Sequence, residues 1–141
     1  MPIDEVGLVD ANVLVYLFDS SDEQKHSKAK RFFDDIARYP DWFVTSNQCL
    51  REYCSVLIKK KKAPQTELEK SLANLLELFD RVLFDTTTDI QLAAQLCFSN
   101  QTPFWDSLIA STMQRHGITT IYTENERDFK KLGLRVVNPL K

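Results

Sequence analysis

The chain alternates between short apolar runs and longer segments in which apolar residues recur every three or four positions. The short runs have the length of strands, and the longer segments have the period of helices with one buried face. Such alternation is typical of a mostly parallel sheet that is covered by helices on both faces. We therefore predict an α/β fold, a three-layer α/β/α sandwich, with residues 1–141 in a single domain.

The apolar pattern places the elements of this fold along the chain. Strands are expected at residues 6–10, 42–45, 81–84, 118–123 and 135–137. Helices are expected at residues 12–18, 25–37, from 46 or 47 to the lysines at 59–62, 65–79, 89–98, 103–117 and 126–132. The candidate N-caps are Ser46 or Asn47 and Thr88, and the helix ends are marked by Pro64 and Gly117.

Composition and charge narrow the class of protein. The 141 residues are 43% hydrophobic, which suits one continuous core but not two. The formal net charge of -2 argues against a protein that binds nucleic acid by overall positive charge. A local contact could come from the lysine run, which consists of Lys59, Lys60, Lys61 and Lys62. Such a run is more often a solvated helix end.

Neither a membrane span nor a disulfide framework is evident. No apolar run approaches the ~20 residues of a membrane-spanning helix, and the chain opens with acidic residues instead of a basic and apolar leader. Cys49, Cys54 and Cys97 form no CxxC pair, which fits buried free thiols in a reducing compartment. We expect a cytoplasmic protein.

Three carboxylates lie where local structure does not by itself explain them. Asp10 closes the first strand, at the sheet edge where open α/β folds bind ligands, although it could simply cap the next helix. Glu52 shares a helical stripe with Cys49 and Val56, so that it needs a cationic partner such as Arg51, a metal, or an escape to solvent. Asp106 lines up with core-facing residues of its helix, yet it is also an ordinary first-turn acid.

Together these acids predict a metal site. Three carboxylates that meet at one edge of a sheet concentrate negative charge, and a divalent cation relieves it. Oxygen-only ligation suits Mg²⁺ or Mn²⁺, whereas zinc usually recruits histidine or cysteine, and His26 and His116 lie in unrelated places. Such ions promote phosphodiester cleavage.

Polar residues after the strand at 118–123 are expected at the same edge as Asp10. Thr123, Asn125 and Asp128 could complete the site. Alternatively, Thr123 or Asn125 only caps a helix, and Asp128 is a solvated acid.

Four segments in order resemble the PIN-domain family, and in particular the VapC-type toxins of bacterial and archaeal toxin–antitoxin pairs. They are Val-Asp-Ala-Asn-Val-Leu at 9–14, Arg-Glu-Tyr at 51–53, Trp-Asp-Ser-Leu-Ile-Ala at 105–110 and Tyr-Thr-Glu-Asn-Glu-Arg-Asp-Phe at 122–129. The resemblance spans essentially the whole chain. It implies a PIN fold and an endoribonuclease that depends on Mg²⁺ or Mn²⁺.

The resemblance also assigns roles to residues of this chain. It implies that Asp10, Glu52 and Asp106 are the catalytic acids and metal ligands, assisted by Asn12 and Thr123. Many members carry a fourth acid shortly after the threonine, where this chain has Asn125. The amide could ligate or orient a water, and Asp128 could supply the missing charge.

The expected partners follow from the same resemblance. It implies an RNA substrate, a homodimer and a cognate antitoxin protein that wraps an apolar groove near the early helices. The aromatic candidates for that groove are Tyr16, Phe18, Phe32 and Phe33. Because one helix face cannot bury both Phe32 and Phe33, we expect at least one of them to be exposed.

Two other functions remain open on sequence grounds. A phosphoacceptor receiver domain also has a strand-terminal acid and a later threonine, with Asp85 as the acceptor, but the chain lacks its adjacent acid pair and its late lysine. A non-catalytic PIN scaffold is the second alternative, for which the missing fourth acid is the argument.

Overall fold

The computed structural model describes residues 5–141 and contains an entirely parallel sheet of five strands. The strands are β1 (Gly7–Val9), β2 (Phe43–Ser46), β3 (Val82–Leu83), β4 (Thr120–Tyr122) and β5 (Arg135–Val137). Their order across the sheet is β3-β2-β1-β4-β5, with Gly7 beside both Phe43 and Thr120. Strands β1, β3 and β4 are shorter than predicted, β2 lies one residue later than predicted, and β5 has the predicted bounds.

Helices cover both faces of the sheet, which confirms the predicted α/β/α architecture. They are α1 (Ala11–Leu14), α2 (Glu23–Arg38), α3 (Asn47–Lys59), α4 (Gln65–Leu78), α5 (Thr87–Asn100), α6 (Phe104–Arg115) and α7 (Glu126–Lys131). Within residues 5–141, no helix has both the length and the apolar character that crossing a bilayer requires.

Two predicted elements change type part-way along their length. The helix expected at 12–18 is α-helical only to Leu14 and continues as the 3-10 turn Val15–Leu17. Trp42, expected to begin a strand, ends the 3-10 turn Pro40–Trp42, because Pro40 favours the start of a turn. Strand β2 therefore begins at Phe43.

Capping side chains fix several helix starts. The Ser46 hydroxyl accepts from the Cys49 N–H at 3.1 Å, so that Ser46 is the N-cap of α3. It is one of the two N-caps that the sequence predicted, the other being Asn47. The prediction of Thr88 as an N-cap is wrong. Thr86 caps α5 in a reciprocal box with Asp89, so that the helix begins before Thr88.

An aromatic cluster joins α2 to the sheet. The ring of Phe32 contacts Phe43 edge-on at 5.5 Å and lies 4.9 Å from the ring of Tyr122. A Cβ atom at Gly7 would overlap the Tyr122 ring, so that glycine leaves room for this ring beside the neighbouring strand. This packing anchors the strands whose carboxyl ends carry Asp10 and Thr123.

The expectation that Phe32 or Phe33 is exposed is wrong, because both side chains are 6% exposed and belong to the core. Helix α2 packs against the 3-10 turn after α1 as well as near the sheet, which widens its buried face. Tyr16 and Phe18 are half-buried against the core. Of the four aromatic residues named for a partner groove, Tyr16 and Phe18 are therefore the two that a partner could still contact.

Candidate active site

Asp10 lies at the carboxyl end of β1 and is 6% exposed. Its Oδ1 accepts from the Ala11 N–H at 2.8 Å, so that it does cap α1, and its Oδ2 accepts from the Thr123 hydroxyl at 2.8 Å. The Cys49 thiol lies 3.7 Å from Oδ1. Burial raises the pKa of Asp10, while the bonds from Thr123 and Ala11 oppose the shift.

Thr123 follows β4, the neighbour of β1, and is fully buried. Its hydroxyl oxygen accepts from the Asn12 side-chain amide at 3.1 Å and from the Asn125 N–H at 3.1 Å. The Asn12 side-chain oxygen in turn accepts from the Glu124 N–H at 3.2 Å. The loops after the two strands are therefore joined through one hydroxyl that also holds Asp10.

Asp106, in the first turn of α6, is linked to the loop after β4 by Asn125. The Asn125 Nδ2 donates to Asp106 Oδ2 at 3.0 Å and to Asp128 Oδ2 at 3.2 Å. The Asn125 Oδ1 accepts from the Asp128 N–H at 3.4 Å as the cap of α7. Asn125 thus both caps a helix and bridges two carboxylates.

The environment of Asp106 disfavours its charge. Burial raises its pKa to about 6, and the charges of Asp10, Asp128 and Glu52 act in the same direction. The hydrogen bond from Asn125 partly opposes the shift. The pKa of Asp106 is therefore raised by acids from the loop after β1, from α3 and from α7.

Glu52 projects from α3 and is an exposed residue, as expected for a side chain that escapes to solvent. No hydrogen bond or ion pair joins it to another described residue, so that the alternative in which Arg51 pairs with it is wrong. Arg51 instead lies 3.4 Å from Asp85. Partial burial of the Glu52 carboxyl raises its pKa, the charge of Asp10 raises it further, and Lys60 lowers it.

Acidic side chains from separate elements thus converge electrostatically at one edge of the sheet. Within residues 5–141, however, no three Asp, Glu, His or Cys side chains are already arranged to hold a metal ion. His26 and His116 bond elsewhere, to the Tyr16 carbonyl at 2.8 Å and to Arg81 at 3.2 Å. The carboxylates and amides at this edge therefore offer oxygen donors, the type preferred by Mg²⁺ and Mn²⁺, with the Cys49 thiol as the sulfur atom near Asp10.

A groove of about 830 Å³ opens beside Glu52 and Asp106. Its other charged lining residues are Arg51, Lys59 and Asp85, and its apolar lining includes Phe104 and Trp105. Within the lysine run, only Lys59 lines this groove, whereas Lys61 pairs with Asp19 at 2.6 Å.

Sequence reasoning missed Gln48, whose Nε2 donates to the Trp105 carbonyl at 2.7 Å. This bond ties α3, which carries Glu52, to the residue before Asp106. In the sequence, Gln48 is only a polar residue one position before Cys49 in the predicted helix. The structure shows that its side chain is buried. Trp105 was seen only as part of a motif.

The sequence matches the PIN domain family over residues 7–134. The chain belongs to the PIN domain family. This membership contradicts the receiver alternative, and Asp85, its proposed phosphoacceptor, lies in an ion pair beyond the edge strand. No curated protein matches the sequence significantly.

Solved structures share the fold of this PIN domain. The toxin VapC20 of Mycobacterium tuberculosis, described as cleaving the sarcin-ricin loop, is 24% identical, with a TM-score of 0.73 over 94% of this chain and 98% of its own. FitAcB from Neisseria gonorrhoeae is 21% identical, with a TM-score of 0.71 over 94% and 96%. DNA-bound VapBC from Salmonella typhimurium is 16% identical, with a TM-score of 0.72 over 96% and 99%.

Proposed function

We propose that this PIN domain is an endoribonuclease that depends on Mg²⁺ or Mn²⁺. The observation that carries the proposal is that burial and the charge of Asp10 together raise the pKa of both Glu52 and Asp106, although the three acids come from separate elements. Acids at one sheet edge that disfavour each other's charge bind a divalent cation favourably, because the cation offsets that repulsion. The toxin description of VapC20, a protein of the same fold, is consistent with this chemistry.

The three acids would hold the metal, which supplies Lewis-acid stabilisation of phosphate charge and a bound water of lowered pKa. Thr123 orients Asp10 through the bond to Oδ2, and Asn12 holds Thr123 in turn. Asn125 orients Asp106 through its hydrogen bond, and Glu52 is the exposed carboxylate of the three. Asp128 adds negative charge at the edge of the site.

The test is cleavage of an end-labelled RNA by purified protein with Mg²⁺ or Mn²⁺. We expect EDTA to stop cleavage and Asp10→Asn to reduce it by at least about 100-fold, since removing a principal catalytic group typically costs that much. Asp41→Asn, which changes an exposed acid on the turn before β2, is the matched control and should cut normally. Cleavage that survives both EDTA and Asp10→Asn would overturn the proposal.

Failure to cut any RNA, with a fold unchanged by circular dichroism, would instead favour the non-catalytic PIN scaffold. Asn125 at the position of a fourth acid is the feature that favours this second function. Heat-stability measurements with Mg²⁺ separate the two possibilities, because a nuclease site must bind the ion.

We further propose a cytoplasmic homodimer that pairs with a cognate antitoxin protein. The similar structures include a toxin–antitoxin complex from Klebsiella pneumoniae and a DNA-bound VapBC complex. On this chain the half-buried Tyr16 and Phe18 would contribute to the antitoxin surface. Sedimentation of the protein alone tests the dimer, and co-purification with the product of a small neighbouring reading frame tests the antitoxin.

A further inference from the structure

We propose that Trp105 is the surface on which an unpaired nucleobase of the RNA stacks, so that a phosphate next to that base lies beside Asp106. This inference rests on the proposed nuclease function and adds a substrate-positioning residue to it. It also defines the substrate class, because a base that stacks on the protein must be free of its own helix.

The exposure of Trp105 motivates the inference. The side chain is 65% exposed, although it stands next to the buried face of α6. Phe104 contacts it at 5.4 Å with the ring planes 77° apart, so that Phe104 supports the indole and leaves most of it open. An exposed tryptophan contributes little to folding, whereas it offers a large flat surface for an aromatic ligand.

The position of Trp105 is fixed relative to the acids. The bond from Gln48 Nε2 to the Trp105 carbonyl joins its backbone to α3, the helix of Glu52. Asp106 is the next residue, and all four residues line the same groove. A ligand on the indole therefore lies in the same groove as two proposed metal ligands, Glu52 and Asp106.

The groove combines the two chemistries that a nucleotide needs. Its apolar lining includes Phe104, Trp105 and Ile90, which is 42% exposed. Its lining also includes the carboxylates of Glu52 and Asp106, which would bind a cation and through it a phosphate. A base matches the apolar side chains, and its phosphate matches the carboxylates with their cation.

Cationic groups are also available for flanking phosphates. Lys59 lines the groove and forms no ion pair with another described residue, and Arg51, which pairs with Asp85 at 3.4 Å, has a side chain that is 67% exposed. Protein-binding surfaces are usually depleted of charge at their centre, whereas here five charged residues interrupt the apolar lining. The groove therefore favours RNA over a protein partner.

The first measurement follows the fluorescence of Trp105 alone. The chain has two tryptophans, and Trp42→Phe leaves Trp105 as the only one. A short oligouridine and an abasic ribose-phosphate oligomer of equal length are mixed rapidly with this variant in Mg²⁺, and the signal is read before cleavage. We expect quenching by the oligouridine and at least about fivefold weaker quenching by the abasic oligomer, because only a base stacks.

The second measurement combines protein variants with abasic substrates. One nucleotide at a time is made abasic around the cut site, and kcat/KM is measured for wild type, Trp105→Ala and Trp105→Phe. We expect one abasic position to slow wild type at least about fivefold but to leave Trp105→Ala unaffected, with Trp105→Phe close to wild type. Phe98→Ala, which removes an aromatic ring that is 85% exposed outside the groove lining, should behave as wild type.

These outcomes separate the inference from the function on which it rests. RNA cleavage with no abasic position that distinguishes wild type from Trp105→Ala would overturn the inference and leave the nuclease intact. Base-dependent quenching without any cleavage would overturn the proposed nuclease function. It would also overturn the claim that a phosphate lies beside Asp106 for cleavage. Equal quenching by both oligomers, or shielding of Trp105 only by a partner protein, would also overturn the inference.

Discussion

The Asn125 side-chain amide lies 3.0 Å from Asp106 Oδ2 and 3.2 Å from Asp128 Oδ2, so that one neutral group separates two acids. The resemblance to VapC-type toxins implies an acid at this position, where this chain has asparagine. The amide donates to both carboxylates and partly offsets the repulsion that raises the pKa of Asp106. Metal-free folding therefore benefits from asparagine at this position.

We predict that Asn125→Asp destabilises the metal-free protein and increases its stabilisation by Mg²⁺. The new carboxylate replaces two hydrogen bonds with repulsion from Asp106 and Asp128, and a cation relieves that repulsion. Melting temperature should fall in EDTA and rise more than that of wild type when Mg²⁺ is added. Asn74→Asp, on the exposed face of α4, is the control. An equal Mg²⁺ response in wild type and Asn125→Asp would contradict the prediction.

Thr123→Val should destabilise the protein by about 1–3 kcal/mol, because the buried Asp10 loses a donor and the shape is otherwise kept. Cleavage should fall as well, since Asp10 loses its orientation. Urea unfolding and RNA cleavage measure the two effects. Thr123→Ser keeps the hydroxyl and should retain most of both properties. Similar losses in the serine and valine variants would show that the hydroxyl is not the important group.

Stability should depend on pH through Asp106. Its folded pKa, about 6, exceeds the usual 3.8, so that the folded state holds the proton more tightly than the unfolded chain. Both states are protonated well below pH 4 and both are ionised well above pH 6. The contribution of Asp106 to stability is therefore greatest in acid and is lost as pH rises from about 4 to 6.

The increase in unfolding free energy that Asp106→Asn causes in the metal-free protein should consequently be larger at pH 7 than at pH 4. We expect a difference of roughly 1–2 kcal/mol between the two pH values, reduced by solvent screening of this half-buried group. Urea unfolding in EDTA at both pH values measures it. Asp34→Asn, an exposed acid of α2, should show no such difference. A pH profile of Asp106→Asn parallel to that of wild type would exclude this origin.

The ion pair between Arg115 and Asp89 should contribute to stability and not to cleavage. Asp89 is 2% exposed, caps α5 with Thr86 and accepts from Arg115 Nε at 3.0 Å. Arg115→Met should cost about 1.5–3 kcal/mol, because a nearly buried charge loses a charged donor. Chemical unfolding and kcat/KM for RNA are the measurements.

The control for this pair is an exposed one. Lys130 lies 3.8 Å from Glu126 on the surface of α7, and Lys130→Met should change stability by less than about 1 kcal/mol. If Arg115→Met were as mild as Lys130→Met, the pair between α5 and α6 would have no special role.

The sequence by itself determined the architecture and the meeting of Asp10 with Thr123. Apolar period is a local property, so it located the helices and most strands. In parallel sheets the carboxyl ends of strands share one edge, and residues after β1 and β4 therefore had to lie together. The four family motifs then identified the PIN domain.

Only the tertiary structure decided what depends on how the elements pack. Phe33 is buried in the core beside Phe32, and α2 contacts both 3-10 turns, a packing that helical period cannot show. Likewise, Asn125 reaches Asp106 and Gln48 reaches Trp105 across 19 and 57 positions of chain. Such contacts are set by the relative placement of helices, because a side chain's partners depend on three-dimensional packing and not on the residues beside it in sequence.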